Sequence, residues 1–247
     1  MAGRVKVEQG HKRVRIQLGG AMIADTTAPL LVWEKPYYPT YYLPISDVAP
    51  GVLVDSGETE RSPSRGTATV YDVHANRAIA SASAYAYAEP NIEELADHVA
   101  FIWSAMDHWY EEDEEVYVHP RDPYSRVDIL QSSRHIRVEI DGVTVADSHQ
   151  PRMLFETGLP VRYYLPKTDV RMDLLTPTDL VTACPYKGDA GYWTVDTGVA
   201  LHDNVAWSYA FPVKESAEIA GYVCFYNETV DIYVDGELES KPKTHFA

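Results

Sequence analysis

Apolar and polar residues alternate along Val14-Arg15-Ile16-Gln17-Leu18, the pair Gly19-Gly20 follows, and residues 21–25 resume the run. Period-two alternation on both sides of a two-residue turn predicts a β-hairpin with one buried face. The pattern returns at Ile136-Arg137-Val138-Glu139-Ile140, Asp141-Gly142 and residues 143–147, now with Asp-Gly, one of the strongest short hairpin turns. Further strands are predicted in matching pairs at 30–34 and 153–156, 40–43 and 162–165, 68–73 and 192–195, and 116–118 and 230–234. One short helix per module is expected, at 91–96 and 214–219. The first follows Pro90, with Asn91 as cap and Glu93 and Glu94 in its opening turn, where they oppose the helix dipole. Each helix runs into an apolar strand, 98–102 or 222–226, and residues 104–110 add one more predicted helical turn. Many short strands with turn signals and few helices make the fold class mainly β, with antiparallel sheets packed as a sandwich or curled into a partial barrel.

The two halves are one module written twice. Residues 14–50 lie over 136–172 at a constant offset of 122 (136 − 14), with 12 of 37 positions identical. The identities include Ala24-Asp25 with Ala146-Asp147, Glu34 with Glu156, Tyr41-Tyr42-Leu43-Pro44 with Tyr163-Tyr164-Leu165-Pro166, and Asp47-Val48 with Asp169-Val170. Two domains follow: residues 1–120 as a degenerate first copy, a linker at 121–135 carrying Pro123 and Ser132-Ser133, and residues 136–247 as the second copy. A residue required only for the fold belongs in both copies, so each module is a control for the other.

Composition narrows the function classes. With 21 basic against 37 acidic residues the net charge is −16, which argues against a nucleic-acid partner and against anionic membranes. Residues 1–18 hold no apolar run of signal-peptide length, and no stretch reaches the roughly 20 apolar residues of a membrane helix, so a cytoplasmic setting is expected. Two cysteines, Cys184 and Cys224, provide no disulfide framework. No His-x-x-x-His or Cys-x-x-Cys occurs among the nine histidines and two cysteines, so no metal site is expected short of convergence between distant residues. No dinucleotide-binding or phosphate-loop pattern is present, and no cofactor is expected.

The Ala-Asp, Glu, Tyr-Tyr-Leu-Pro and Asp-Val elements, with Cys184-Pro185-Tyr186-Lys187-Gly188, Trp207-Ser208-Tyr209 and Ile219-Ala220-Gly221-Tyr222-Val223-Cys224-Phe225-Tyr226, resemble the family catalogued as domain of unknown function 427. Tandem two-copy members resemble this chain over nearly its whole length. The resemblance implies a small, mostly β fold and no established activity. A nucleotidyltransferase label is sometimes attached to the family, but this chain has no Gly-Ser followed by a spaced pair of aspartates to hold a metal and a triphosphate.

The sharpest chemical difference between the copies is Cys184-Pro185-Tyr186-Lys187-Gly188 opposite Ser62-Pro63-Ser64-Arg65-Gly66. A turn of this kind can aim Lys187 and backbone N–H groups at a small anionic group, and a nearby cation activates a thiol. Cys184 is therefore read as nucleophile, ligand contact or structural filler. His202 or His149 would serve as its base. Glu156 and Glu34, each ending an apolar strand, are either structural or poised acids. One tyrosine of each Tyr-Tyr pair is expected in the core and the other on a groove. Trp193, Trp207 and Tyr209, read as opposite Tyr71, Ser83 and Tyr85, form either sheet packing or an aromatic wall. The expected site gathers Cys184 and His202 as catalytic candidates, with Glu156, Tyr164, Tyr186, Lys187, Trp207 and Tyr209 around a small polar or anionic ligand. The rival readings are a thiol enzyme and a structural or interaction module, in an unknown oligomeric state.

Overall fold

The computed structural model describes residues 5–35 and 37–244, so the first four residues of the stretch read for a signal peptide lie outside it. The chain divides into two compact units, 1–122 and 123–247.

The first unit contains β1 (Lys6–Gln9), β2 (Val14–Leu18), β3 (Ala21–Thr26), β4 (Leu30–Trp33), β5 (Thr40–Pro44) and β6 (Leu53–Ser62). It continues with β7 (Gly66–Ala75), β8 (Ala78–Tyr87), β9 (His98–Phe101), β10 (His108–Glu111) and β11 (Glu114–Val116). Seven strands form one antiparallel sheet in the order β1-β4-β5-β9-β8-β7-β6, and four form a second in the order β11-β10-β2-β3. The alternating side chains of β2 bury Val14, Ile16 and Leu18 against Tyr41, Leu43, Val73, Val99 and Phe101 of the larger sheet. The result is a sandwich core. The other face of the large sheet carries a smaller cluster of Leu30, Val32, Tyr42, Ala68, Tyr87 and Ala100, covered by Leu95.

The second unit repeats this plan with β12 (Val127–Gln131), β13 (Ile136–Ile140), β14 (Val143–Ser148), β15 (Arg152–Glu156), β16 (Arg162–Tyr164) and β17 (Leu175–Cys184). Then come β18 (Gly188–Asp196), β19 (Leu201–Tyr209), β20 (Cys224–Phe225), β21 (Asp231–Val234) and β22 (Glu237–Leu238). The ladders run β12-β15-β16, β17-β18-β19-β20 and β14-β13-β21-β22. Leu165 and Val223 exchange two backbone hydrogen bonds of 2.8 Å and join the first two into the counterpart of the seven-stranded sheet. Even the β-bulges recur at the offset of 122: 16/17 with 138/139, 55/59 with 177/181, and 71/73 with 193/195. Bulges set local twist and aim side chains, so the copies share fine geometry as well as strand order.

Four expectations need correction. The segments 91–96 and 214–219 are not α-helices but 3₁₀ turns, Glu93–Leu95 and Lys214–Ile219, the latter broken at Ser216. Each is too short to repay helix nucleation and serves mainly to insert one apolar side chain, Leu95 or Ile219, under the sheet. The turn expected within 104–110 is confined to Trp103–Ala105, and β10 follows. Residues 127–131, inside the stretch read as linker, form β12 against β15, because Val127 and Ile129 pack with Leu154 and Tyr164. Finally, neither tyrosine of a Tyr-Tyr pair lines an open groove. Tyr42 and Tyr164 are 0% and 1% exposed, buried in the second cluster on the far face of the sheet.

Among the described residues, no helix is long and apolar enough to cross a membrane.

Candidate functional site

The Cys184 turn closes the hairpin between β17 and β18. Cys184 pairs with Gly188 as Ser62 pairs with Gly66, so these positions are structurally equivalent. Gly188 has φ +95°, and a Cβ there would sit 3.2 Å from the Phe211 carbonyl oxygen. Gly66 has φ +106° and the same clearance from Glu89. Only glycine suits that backbone. The turn is tied down by the Lys187 N–H donating to the Cys184 carbonyl at 3.2 Å and by the Ser216 hydroxyl donating to the Tyr186 carbonyl at 2.8 Å. Tyr186 is half-buried within it.

From this turn Lys187 reaches the end of β15 and binds Glu156, Nζ to Oε2 2.5 Å, with side chains only 12% and 10% exposed. Arg65 and Glu34 hold the matching positions in the first unit, at 3.5 Å. The carboxylate is therefore a partner of the turn's cation in both copies.

What surrounds the carboxylate differs. In the first unit Glu34 accepts hydrogen bonds from the hydroxyl of Tyr42 and, at 3.2 Å, from that of Tyr85, while Arg65 Nε donates to the Tyr87 hydroxyl at 2.8 Å. Burial raises the pKa of Tyr42 and Tyr85, with the neighbouring Glu34 charge adding to it, so both remain protonated donors. Strand register identifies the counterparts. Val70 pairs with Tyr85 and Tyr192 with Trp207, and Ala68 pairs with Tyr87 and Ala190 with Tyr209. Trp207 thus replaces Tyr85 and Tyr209 replaces Tyr87, which corrects the sequence pairing with Ser83 and Tyr85 by two residues. The offset of 122 persists through β19 and changes to 124 only by β20, where Cys224 stands at Ala100.

These exchanges leave polar atoms unengaged in the second unit. Trp207 donates its indole N–H to the Tyr164 hydroxyl at 3.2 Å instead of addressing the carboxylate. Lys187 cannot span both Glu156 and Tyr209 as the forked Arg65 spans Glu34 and Tyr87. Among the described residues, the Glu156 carboxylate has Lys187 as its one hydrogen-bond partner, the Tyr164 hydroxyl has no acceptor, and the Tyr209 hydroxyl has no protein partner. Burial raises the pKa of both phenols, and charge on Cys184 adds to that of Tyr209. Cys184 itself is half-buried.

The structure thus gathers Cys184, Glu156, Tyr164, Tyr186, Lys187, Trp207 and Tyr209. It does not bring in the histidines. His202 pairs with Val195 at the far end of β18, about seven residues or roughly 23 Å along the strand from Gly188, and its Nε2 meets Asp141 at 2.7 Å. His149 follows β14, in the other sheet, and stacks on His135. Neither makes a hydrogen bond to Cys184 among the described residues.

A second polar group was not foreseen. Arg162 of β16 lies 5.5 Å from the ring centre of Trp207 and 5.7 Å from that of Tyr226, and binds Glu228 bidentately at 2.5 and 2.7 Å. Burial is the largest single effect and opposes its charge, but the hydrogen bond to Glu228 and the negative charge around it together outweigh burial and raise its pKa. The available signal was Arg162 opposite Thr40 at the offset of 122.

The model of the family described as domain of unknown function (DUF427) matches residues 6–112 and again 128–236. The chain belongs to this family. Both matches begin at the outermost strand of a large sheet, β1 or β12, and close after the strand that pairs with β2 or β13. A family module thus spans one sandwich short of its final edge strand, β11 or β22, and the chain holds two. No curated protein matches the chain.

Proposed function

We propose that the second unit binds a small polar molecule at Glu156, Tyr164, Tyr209 and Cys184, and that the first unit is a copy whose site is closed. The observation that carries this reading is the contrast between copies. Hydrogen-bonding groups engaged with one another around Glu34 have equivalents around Glu156 that lack protein partners. These groups keep hydrogen-bonding capacity that the first unit spends internally, and a ligand that takes the place of solvent there gains about 0.5–1.5 kcal/mol per bond. Lys187 is already held by Glu156, which favours a ligand offering an N–H or O–H to the carboxylate and an acceptor to the phenols over a bare anion. Tyr164 packs against Trp207 and Tyr209, and these buried rings would back the ligand rather than enclose it. Two free thiols are compatible with the expected cytoplasmic setting.

The test is a thermal-shift screen of polar metabolites on the native chain and on Lys187→Arg/Trp207→Tyr, which rebuilds the first unit's network. A compound that stabilises the native chain and not the double variant supports the reading. Equal shifts on both, or none on either, would end it. The rival reading, a thiol enzyme with Cys184 as nucleophile, draws on the placement of Cys184 beside Tyr209. It requires that Cys184→Ser abolish turnover while leaving affinity within about tenfold.

A further inference from the structure

The pairing of β13 with β14 aligns Ile136 with Ser148 and Arg137 with Asp147. One step further out, His135 faces His149, and Asp147 lies diagonally across from His135. Their rings stack at 4.3 Å between centroids, His135 Nε2 meets Asp147 Oδ1 at 2.8 Å, and one donor atom from each of the three residues lies within 4.8 Å of the others.

The first unit again provides the comparison. At the offset of 122, Arg13 stands for His135, Asp25 for Asp147 and Thr27 for His149. There Arg13 clasps Asp25 with two hydrogen bonds of 2.7 and 2.5 Å. The frame around the two clusters is shared: Arg15 lies over Tyr110 at 5.3 Å and Arg137 over Tyr233 at 4.2 Å. The copies differ in that a guanidinium and a hydroxyl have given way to two imidazoles beside the same carboxylate.

We propose that His135, Asp147 and His149 form a site for one divalent transition-metal ion of the zinc, nickel and copper class. Two imidazole nitrogens with one carboxylate oxygen match that class, whereas magnesium and calcium prefer sites of oxygen alone. Zinc bonds of about 2.0–2.1 Å keep ligand atoms within about 4.2 Å of one another, so modest rotation of exposed side chains completes the set. Binding through His135 Nε2 would replace its hydrogen bond to Asp147 Oδ1 with a shared metal, the imidazole staying neutral with its one proton on Nδ1.

The backbone under the ligands is already fixed. The His135 N–H donates to Asp235 Oδ1 at 3.0 Å, and the Asp235 N–H donates to the His135 carbonyl at 2.8 Å. Ser148, between Asp147 and His149, donates to Asp169 at 2.6 Å and accepts the Gln150 N–H at 3.1 Å. Nearby cations are occupied, Arg134 by Asp235 at 2.7 Å and Arg137 by Glu139 at 2.9 Å.

Titration calorimetry of the tag-free full chain with zinc chloride tests the proposal. His135→Arg and His149→Thr install the first unit's residues, and His135→Arg offers Asp147 the partner Asp25 already has. Thermal melting confirms that both variants are folded. The native chain should bind one zinc ion that each variant binds at least about tenfold more weakly, and magnesium should not displace it. Undiminished zinc binding in both variants, no zinc binding by the native chain, or displacement by equimolar magnesium would overturn the assignment.

Discussion

Trp207 donates its indole N–H to the hydroxyl of Tyr164 at 3.2 Å, at the place where Tyr85 in the first unit turns its hydroxyl to Glu34. One aromatic exchange on equivalent strands thus removes a donor from one carboxylate and leaves the fold around it unchanged.

Glu34→Gln should therefore destabilise the chain more than Glu156→Gln. Glu34 satisfies two buried tyrosine hydroxyls and faces Arg65, and an amide accepts through a single oxygen and carries no charge. A loss of about 2–3 kcal/mol is expected for Glu34→Gln, against about 1 kcal/mol for Glu156→Gln. Urea denaturation of the two variants checks this. Equal losses would return Glu156 to a purely structural role.

The thiols should differ in reactivity. Cys224 is 0% exposed, and burial pushes its pKa up to about 12 despite the nearby Arg162. At pH 8 roughly one molecule in ten thousand carries the Cys224 thiolate, and the thiolate is the reactive form. Mild alkylation with peptide mapping should label Cys184 and spare Cys224. Preferential labelling of Cys224 would contradict its place in the core.

The glycine after each turn offers a prediction that both units share. Gly66→Ala and Gly188→Ala force a side chain into a glycine-only φ and against a backbone carbonyl at 3.2 Å, which cannot swing aside. Each should cost about 1–3 kcal/mol, read from chemical denaturation. A neutral result in either would mean that the turn is not held as described.

Much of this was legible in the chain. The Asp141-Gly142 turn, with φ of +52° and +76°, sits where the dipeptide placed it, and the offset of 122 matched Glu34 to Glu156 and Ser62 to Cys184 before any strand was paired. What escaped notice has physical reasons. β8 begins Ala78-Ile79-Ala80-Ser81-Ala82, a stretch in which all but Ile79 have weak strand preference, held in the sheet by β7 and β9. The register of β8 and β19 was misread because the two-residue insertion lies beyond them. His135 and His149 share no metal-binding spacing, since strand pairing, not helical periodicity, brings them together.

The buried pair Arg162–Glu228 gives the last prediction, in two parts. Its side chains are 10% and 2% exposed, so Glu228→Gln leaves a buried guanidinium without its counter-charge, a loss of about 3–5 kcal/mol. Burial is the largest single effect and would raise the Glu228 pKa, but hydrogen bonds from Arg162 and Thr244, the Arg162 charge and a backbone hydrogen bond together outweigh it and hold the carboxyl below its ordinary value of 4.5. A folded-state pKa below the unfolded one means stability that is complete above pH 4.5 and lost as the pH falls through the lower folded value. The native chain should thus lose its advantage over Glu228→Gln as the pH drops from about 5 towards 3, and the two denaturation midpoints should converge. A gap that stays constant across that range would show that the pair contributes through packing alone, and Trp207 would then rest on Arg162 as a spacer and not as one half of a protonation-dependent ion pair.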